Sequence, residues 1–306
     1  MPATDHQPPQ IAHVNGIDIC YEIFGDANAE PIMLIMGLGA QMIHWDDDFC
    51  RQLAARGFRV IRFDNRDIGK SSKMSGGKRL GAVELLKLRF LKIPVAAPYK
   101  LRDMAEDTIA LMDHLRIRSA HIVGASMGGM IAQEIAITFP ERVRSLTSIM
   151  STTGNPKIPP PTREAAAVLM APPPVSKEEY FARFAQTWKI LRAGSFPEDE
   201  ALDPARAART WDRGLNPAGV GRQLRAILAS GSRKERLRMV KAPTLVIHGT
   251  VDPLVHPEAG MDTAASIPGA KLVMVEGMGH ALPMRMWPQI IGAITDHAKG
   301  AAAKAA

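Results

Sequence analysis

HIVGASMGG, at residues 121–129, is the stretch on which the fold turns. Its first half is an apolar run suited to a buried strand, and its second half opens on small residues suited to the start of a helix. Between them Gly124-Ala125-Ser126-Met127-Gly128 spells G-x-S-x-G, the pattern of a sharp strand-to-helix elbow that lifts a serine hydroxyl above a sheet. The glycines have a steric reason. A serine at such a turn holds a strained backbone, and a Cβ two residues to either side crowds it. Taken alone the pattern is short, and an ordinary turn with an idle serine is the bland alternative. The flanking strand and helix are the context the pattern demands, and they make Ser126 a candidate nucleophile.

Toward the amino terminus, PIMLIMG (31–37) and FRVIRFD (58–64) are short apolar runs with turn signals behind them, and 45–56 fits a helix between them. Ahead of both, apolar alternation flanks Asn15-Gly16, a dipeptide suited to a tight hairpin turn. Met104, Ile109, Met112 and Leu115 give 103–115 a helical spacing. Toward the carboxyl terminus, the helix that starts at 127 stops before Pro140. SLTSIM (145–150), TLVIHG (244–249) and KLVMVEG (271–277) then read as strands, and 287–298 as a closing helix. Apolar strands separated by helix-length segments predict an α/β fold: a mostly parallel sheet with helices on both faces. Residues 152–240 contain no convincing central strand, are rich in Pro, Ala and Arg, and hold Tyr180, Phe181, Trp188 and Trp211. We therefore expect a core of 1–151 and 241–306, with 152–240 inserted in it as a helical cap.

A serine nucleophile needs a base and a group that orients the base, in this arrangement in the chain order Ser, acid, His on loops that follow strands. Asp252 lies just past TLVIHG and His280 just past KLVMVEG, bracketed by glycine. Neutral His280 would accept the Ser126 proton, and Asp252 would fix its tautomer. Other histidines fit less well. His248 sits at a strand end and reads as satisfying a backbone group; His256 follows Asp252 too soon; His114 and His121 flank a helix end and a strand start. STTGNP, after the strand at 145–150, offers no alternative carboxylate.

Acyl transfer also needs two N–H donors aimed at the developing oxyanion. The amide of Met127, next to the serine, is one. The loop after PIMLIMG supplies the other: Gly37-Leu38-Gly39 allows close backbone approach, with Leu38 N–H the first choice and Gly37 the second. His44 and Trp45 follow this loop and could border a pocket, as could Trp188 and Trp211, although each tryptophan also suits core packing. DNRDIGKS (64–71) reads as a hydrogen-bonded structural turn, with Asp64 the substitute acid if Asp252 fails.

The chain has 306 residues, 46% apolar and 23% charged, long enough for a core that needs no disulfide or metal. Cys20 and Cys50 match no zinc spacing and read as small buried hydrophobes. No metal or cofactor is expected. MPATDHQPPQ shows no signal-peptide architecture, and no run approaches the ~18 apolar residues of a membrane span, so a cytoplasmic location is expected. HAKGAAAKAA at the other end reads as a frayed tail. The net charge of +7 resides in one segment, where Lys70–Arg102 carries nine basic residues against Glu84 alone. No nucleic-acid recognition motif accompanies it. If 83–93 is helical, Val83, Leu86, Phe90 and Ile93 form one stripe, so that 78–102 is either a solvated loop or a weak contact for an anionic membrane or lipid. Oligomeric state is left open.

Together these blocks resemble the anthracycline (aclacinomycin-type) methylesterases, a branch of the α/β hydrolases. The shared features are MGLGAQ followed by Trp45, FDNRDIGKSS, VGASMGG, WKILRAGSFPEDE, PTLVIHGTVDP and IPGAKLVMVEGMGHALP. The resemblance implies the α/β-hydrolase fold and a cofactor-free esterase acting on a small-molecule ester. It also implies the roles above for Ser126, Asp252, His280, Leu38 and Met127. It leaves the acyl and alcohol groups open. Perhydrolase, haloperoxidase or lactonase chemistry uses the same triad, and a hydrolase-fold receptor with little turnover is the reading from another class.

Overall fold

A computed structural model describes residues 6–77, 81, 84 and 95–305. An eight-stranded sheet in the order β1-β2-β4-β3-β5-β6-β7-β8 organises them. β1 (His6–Val14) and β2 (Ile17–Phe24) form the expected hairpin, with Asn15 at φ 51° and Gly16 at φ 74° making the turn. β2 pairs antiparallel with β4 (Phe58–Phe63), and every later neighbour is parallel. These are β3 (Glu30–Ile35), β5 (Ala120–Ala125), β6 (Val143–Ile149), β7 (Thr244–Gly249) and β8 (Lys271–Val275).

Side-chain alternation along the strands builds a core on each face. Met33, Ile35 and Ile122 point to α2 (Leu101–His114) and α3 (Met127–Thr138), where Met104, Leu111, Ile131 and Ile135 pack. Ile32, Leu34 and Val123 point the other way, to Phe49 and Leu53 of α1 (Asp47–Ala55) and to Trp287, Ile290 and Ile294 of the last helix. Between β6 and β7 the chain is helical: α4 (Arg163–Met170), α5 (Lys177–Leu191), α6 (Asp203–Asp212), α7 (Pro217–Ser230) and the short α8 (Lys234–Leu237). α9 (Glu258–Ser266) joins β7 to β8.

The last helix, α10 (Trp287–Ala305), differs from expectation. It continues through the segment read as a frayed tail. Alanine has the highest helix propensity, and Ala298 and Ala301 are buried, so the run has both an intrinsic and a packing reason to stay helical. The amphipathic helix expected at 83–93, and with it most of the 78–102 segment read as a membrane contact, lies outside the described residues. Glu84 is described, and it pairs with Arg225 of α7 at 2.8 Å. Among the described residues no helix is long and apolar enough to cross a membrane.

Candidate active site

Ser126 stands between β5 and α3 at φ 57° and ψ −121°, a conformation L-residues rarely adopt. Its N–H donates to Ile149 O at 2.9 Å, and its carbonyl accepts from Gly129 N at 2.9 Å and Ser151 Oγ at 2.8 Å, so the strain is held from both sides. The elbow glycines are required by contact. A Cβ on Gly124 would sit 2.1 Å from Gly128 O, and one on Gly128 would sit 2.0 Å from Ile35 O.

His280 and Asp252 come to the serine from the loops after β8 and β7. His280 Nε2 lies 3.0 Å from Ser126 Oγ, and His280 Nδ1 lies 2.8 Å from Asp252 Oδ2. Asp252 Oδ1 accepts from the amides of Leu254 at 2.9 Å and Val255 at 2.8 Å. Burial alone would raise the Asp252 pKa, but His280 and His248 beside it hold the carboxyl well below its usual range. It is therefore a carboxylate and accepts a hydrogen bond from Nδ1–H, which leaves the Nε2 lone pair facing the serine hydroxyl. His248 is at hydrogen-bond distance from Val255 O, 2.8 Å from Nε2, and lies 3.5 Å from Asp252 Oδ2. The His280 loop is held from the other side by the inserted helices: its N–H donates to Leu191 O, at the end of α5, at 2.7 Å.

Loop 36–41 passes over the elbow, close enough that a Cβ on Gly37 would lie 3.0 Å from Ser126 Cβ. Among the described residues, the amides of Leu38 and Met127 have no hydrogen-bond acceptor. Met127 follows the serine directly, and Leu38 lines the same cavity as the serine.

A cavity of about 930 Å³ opens over Ser126 and His280. Its wall is mostly apolar, with Leu38 and Met130 from the core side and Phe184, Trp188, Val220 and Leu224 from the inserted helices. His44 lines it too, stacked on Trp188 with ring centroids 5.4 Å apart, and with Nε2 3.4 Å from Thr210 Oγ1. Burial, then the charges of Arg206 and Arg209, push the His44 pKa down to about 4, so its ring is neutral. Two candidate pocket residues are corrected. Trp45 does not line the cavity, because it is fully buried in the core against Phe49 and Trp287 lies just beyond. Trp211 does not line it either, because its ring packs on Tyr180.

Asp64 is far from idle, although it does not touch the histidine. Its Oδ1 accepts from Met42 N at 2.8 Å, its Oδ2 from Lys70 N at 2.8 Å, and Arg213 of the inserted segment pairs with it. Three residues that the motifs did not single out complete the frame: Gln41, Arg213 and Gln223. Gln41 Nε2 donates to Thr210 O and Gly214 O, both at 2.9 Å, and Gln223 Oε1 accepts from Gly39 N at 2.9 Å. No short-range pattern marks them, since their partners lie far along the chain.

Two comparisons of sequence and one of structure agree with this frame. The chain is 28% identical to rhodomycin D methylesterase DnrP from Streptomyces peucetius, covering 96% of this chain and 99% of that protein. It has the same identity and coverage with rhodomycin D methylesterase DauP from Streptomyces sp. (strain C5), which meets the expected likeness to anthracycline methylesterases. Among solved structures it resembles the enol-lactonase from Burkholderia xenovorans LB400, with a TM-score of 0.74 at 22% identity over 95% of this chain and all of that one. The family model of the alpha/beta hydrolase fold matches residues 30–284, and with its sheet, elbow and loop order the chain belongs to that family.

Proposed function

We propose that this chain is a serine hydrolase that cleaves a carboxylic ester through an acyl-enzyme, with Ser126 as nucleophile. The observation that carries the reading is the continuous chain from Ser126 Oγ through His280 to Asp252, at 3.0 and 2.8 Å, on the floor of the cavity. His280 Nε2 takes the hydroxyl proton as Oγ attacks the ester carbonyl. The carbonyl oxygen becomes an oxyanion within reach of the Leu38 and Met127 amides. Collapse breaks the bond to the alcohol, which leaves with the proton from His280. Water then enters, gives a proton to the same nitrogen and releases the acid, and Ser126 regains its hydrogen. Residues 152–240 act in this reading as the cap whose α5 and α7 shape the substrate side of the cavity. Cytoplasmic residence remains part of the proposal.

The cavity is large for a small acyl ester and lies in the range that encloses most of a drug-sized molecule. Together with the methylesterase relatives, that size supports a methyl ester of a bulky, mostly apolar acid as the substrate class. A fluorophosphonate probe and a panel of esters test the proposal. Wild-type protein is expected to label at Ser126 and to turn over p-nitrophenyl esters repeatedly, with polycyclic methyl esters preferred over long-chain ones. Ser126→Ala is expected to abolish both labelling and turnover, as loss of a serine nucleophile costs on the order of 10⁶ in kcat. Stoichiometric labelling without repeated turnover would instead mark a receptor.

A further inference from the structure

Loop 36–41 is fastened to the inserted helices more tightly than a wall of a pocket requires. Gly37-Leu38-Gly39-Ala40 is a tight turn, closed by Ala40 N–H donating to Gly37 O at 3.3 Å, with Gly39 at φ +69°. Positive φ at the third residue is the mark of a type II turn, which differs from type I by a flip of its central peptide. Here that peptide joins Leu38 to Gly39, and its N–H is the one Gln223 Oε1 accepts at 2.9 Å.

Gln223 is fully buried in α7 and held at both ends of its amide. Its Nε2 donates to Arg66 O at 2.9 Å. Oε1 therefore has one target. A flip of the 38–39 peptide would replace Gly39 N–H by Leu38 C=O, setting two acceptors against each other in a dry site, at a cost of a lost buried hydrogen bond. Loss of the clamp also frees the turn to shift as a unit, and the Leu38 N–H, one peptide from the clamped Gly39 N–H, then loses a fixed place relative to Met127 N–H. Gln41 anchors the far end of the loop, donating to Thr210 O and Gly214 O at 2.9 Å while Arg213 Nε donates to its Oε1 at 2.9 Å.

We propose that Gln223 is a positioning residue for the oxyanion donor: by holding the Gly39 amide it fixes the turn that aims Leu38 N–H, so the inserted helix α7 enters the chemistry as well as the pocket. This rests on the ester-hydrolase reading above. Gln223 is not among the cavity-lining residues, so its effect must pass through the loop.

Two variants separate the two ends of the amide. Gln223→Met removes both hydrogen bonds at similar volume. Gln223→Glu keeps an acceptor for Gly39 N–H and gives up donation to Arg66 O. Both are assayed on p-nitrophenyl acetate, with melting temperature and inhibition by an alkylboronic acid, whose tetrahedral adduct needs the oxyanion donors. Because removing one such donor costs about 10²-fold in kcat, Gln223→Met is expected to lose 10- to 100-fold in kcat with KM within about twofold. Boronate affinity should weaken by the same factor as kcat. Gln223→Glu is expected to stay within about threefold of wild type in kcat, even if it melts lower. If Gln223→Met does not fold, Gln223→Leu, which also offers no acceptor to Gly39 N–H, carries the same expected loss, and a folded Glu variant that loses tenfold or more in kcat overturns the proposal by itself. Equal losses in both folded variants, a change in KM alone, or a kcat loss without weaker boronate binding would reduce Gln223 to fold support and overturn the proposal. A wild-type protein that neither labels nor turns over any ester would remove the hydrolase reading itself, and this role with it.

Discussion

Asp252 and Asp64 are both buried carboxylates on loops at the carboxyl ends of strands, and their partners distinguish them. Asp252 faces His280 and two amides of its own loop, while Asp64 faces Met42 N, Lys70 N and the guanidinium of Arg213. The first can fix an imidazole tautomer; the second ties three segments of chain. Asp252→Asn is expected to lower kcat by about 10⁴, as in other triads where the amide selects the wrong tautomer. Asp64→Asn is expected to act mainly on stability, by ~3 kcal/mol, because it leaves Arg213 without its buried counter-charge. Steady-state kinetics alongside thermal melts checks both. An Asp64 variant that melts normally but loses 10³-fold or more in kcat would move the acid to that position. Ser126, Asp252 and His280 were legible because each sits just past a strand end, Ser126 and His280 with glycines beside them, a local signature. Trp45 and Trp211 were not, since whether a tryptophan faces a cavity or a core depends on what packs against it from elsewhere in the chain.

At the scale of elements, the central strands were legible as short apolar runs and the helices near 45–56, 103–115, 127–139 and 287–298 by length and spacing, whereas α9, a small-residue segment between β7 and β8, was not read. The parallel strands are short and apolar with helix-length segments between them, and the one hairpin is marked by Asn15-Gly16. The inserted helices were legible only as a gap without strands. Their contacts join positions up to 184 residues apart, as between Gly39 and Gln223, and no local pattern encodes such a distance. α5 illustrates the consequence. Trp188 faces the cavity and stacks on His44, whereas Tyr180, a little over two turns earlier, packs against Trp211 of α6. The two tryptophans therefore have different expected effects. Trp188→Ala is expected to reorder the preference among ester substrates through KM. Trp211→Ala is expected to lower the melting temperature by removing a packed aromatic, a loss of roughly 3 kcal/mol, and to leave the ranking intact. An ester panel run beside calorimetry distinguishes them; the reverse pattern would mean that the cavity wall is drawn wrongly.

At the scale of the whole molecule, buried titratable groups couple the fold to pH. His121, buried in β5, lies 2.8 Å by Nδ1 from Ser145 Oγ, and 3.6 Å by Nε2 from Glu30. Burial pushes its pKa down to about 4, with the Glu30 carboxylate only partly offsetting that and Arg144 adding to it. His44 is shifted down to about 4 as well. A histidine whose folded pKa lies below its unfolded value of about 6.5 binds its proton more readily in the unfolded chain. The folded state is therefore fully favoured above pH 6.5 and loses stability as pH falls from there toward 4. Asp252 and Asp67 are carboxyls held below their usual range, so their contribution is present above about pH 4 and is lost only at lower pH. Acid unfolding is thus expected in two stages, histidines first and carboxylates second. Melting temperatures between pH 8 and 3 measure it, and His121→Asn, which retains a polar partner for Ser145, isolates the first stage. That variant is expected to flatten the decline between pH 6.5 and 4 by on the order of 2 kcal/mol while leaving the decline below pH 4 in place. Profiles of wild type and variant that run parallel through the upper window would show that His121 takes its proton no more readily unfolded than folded.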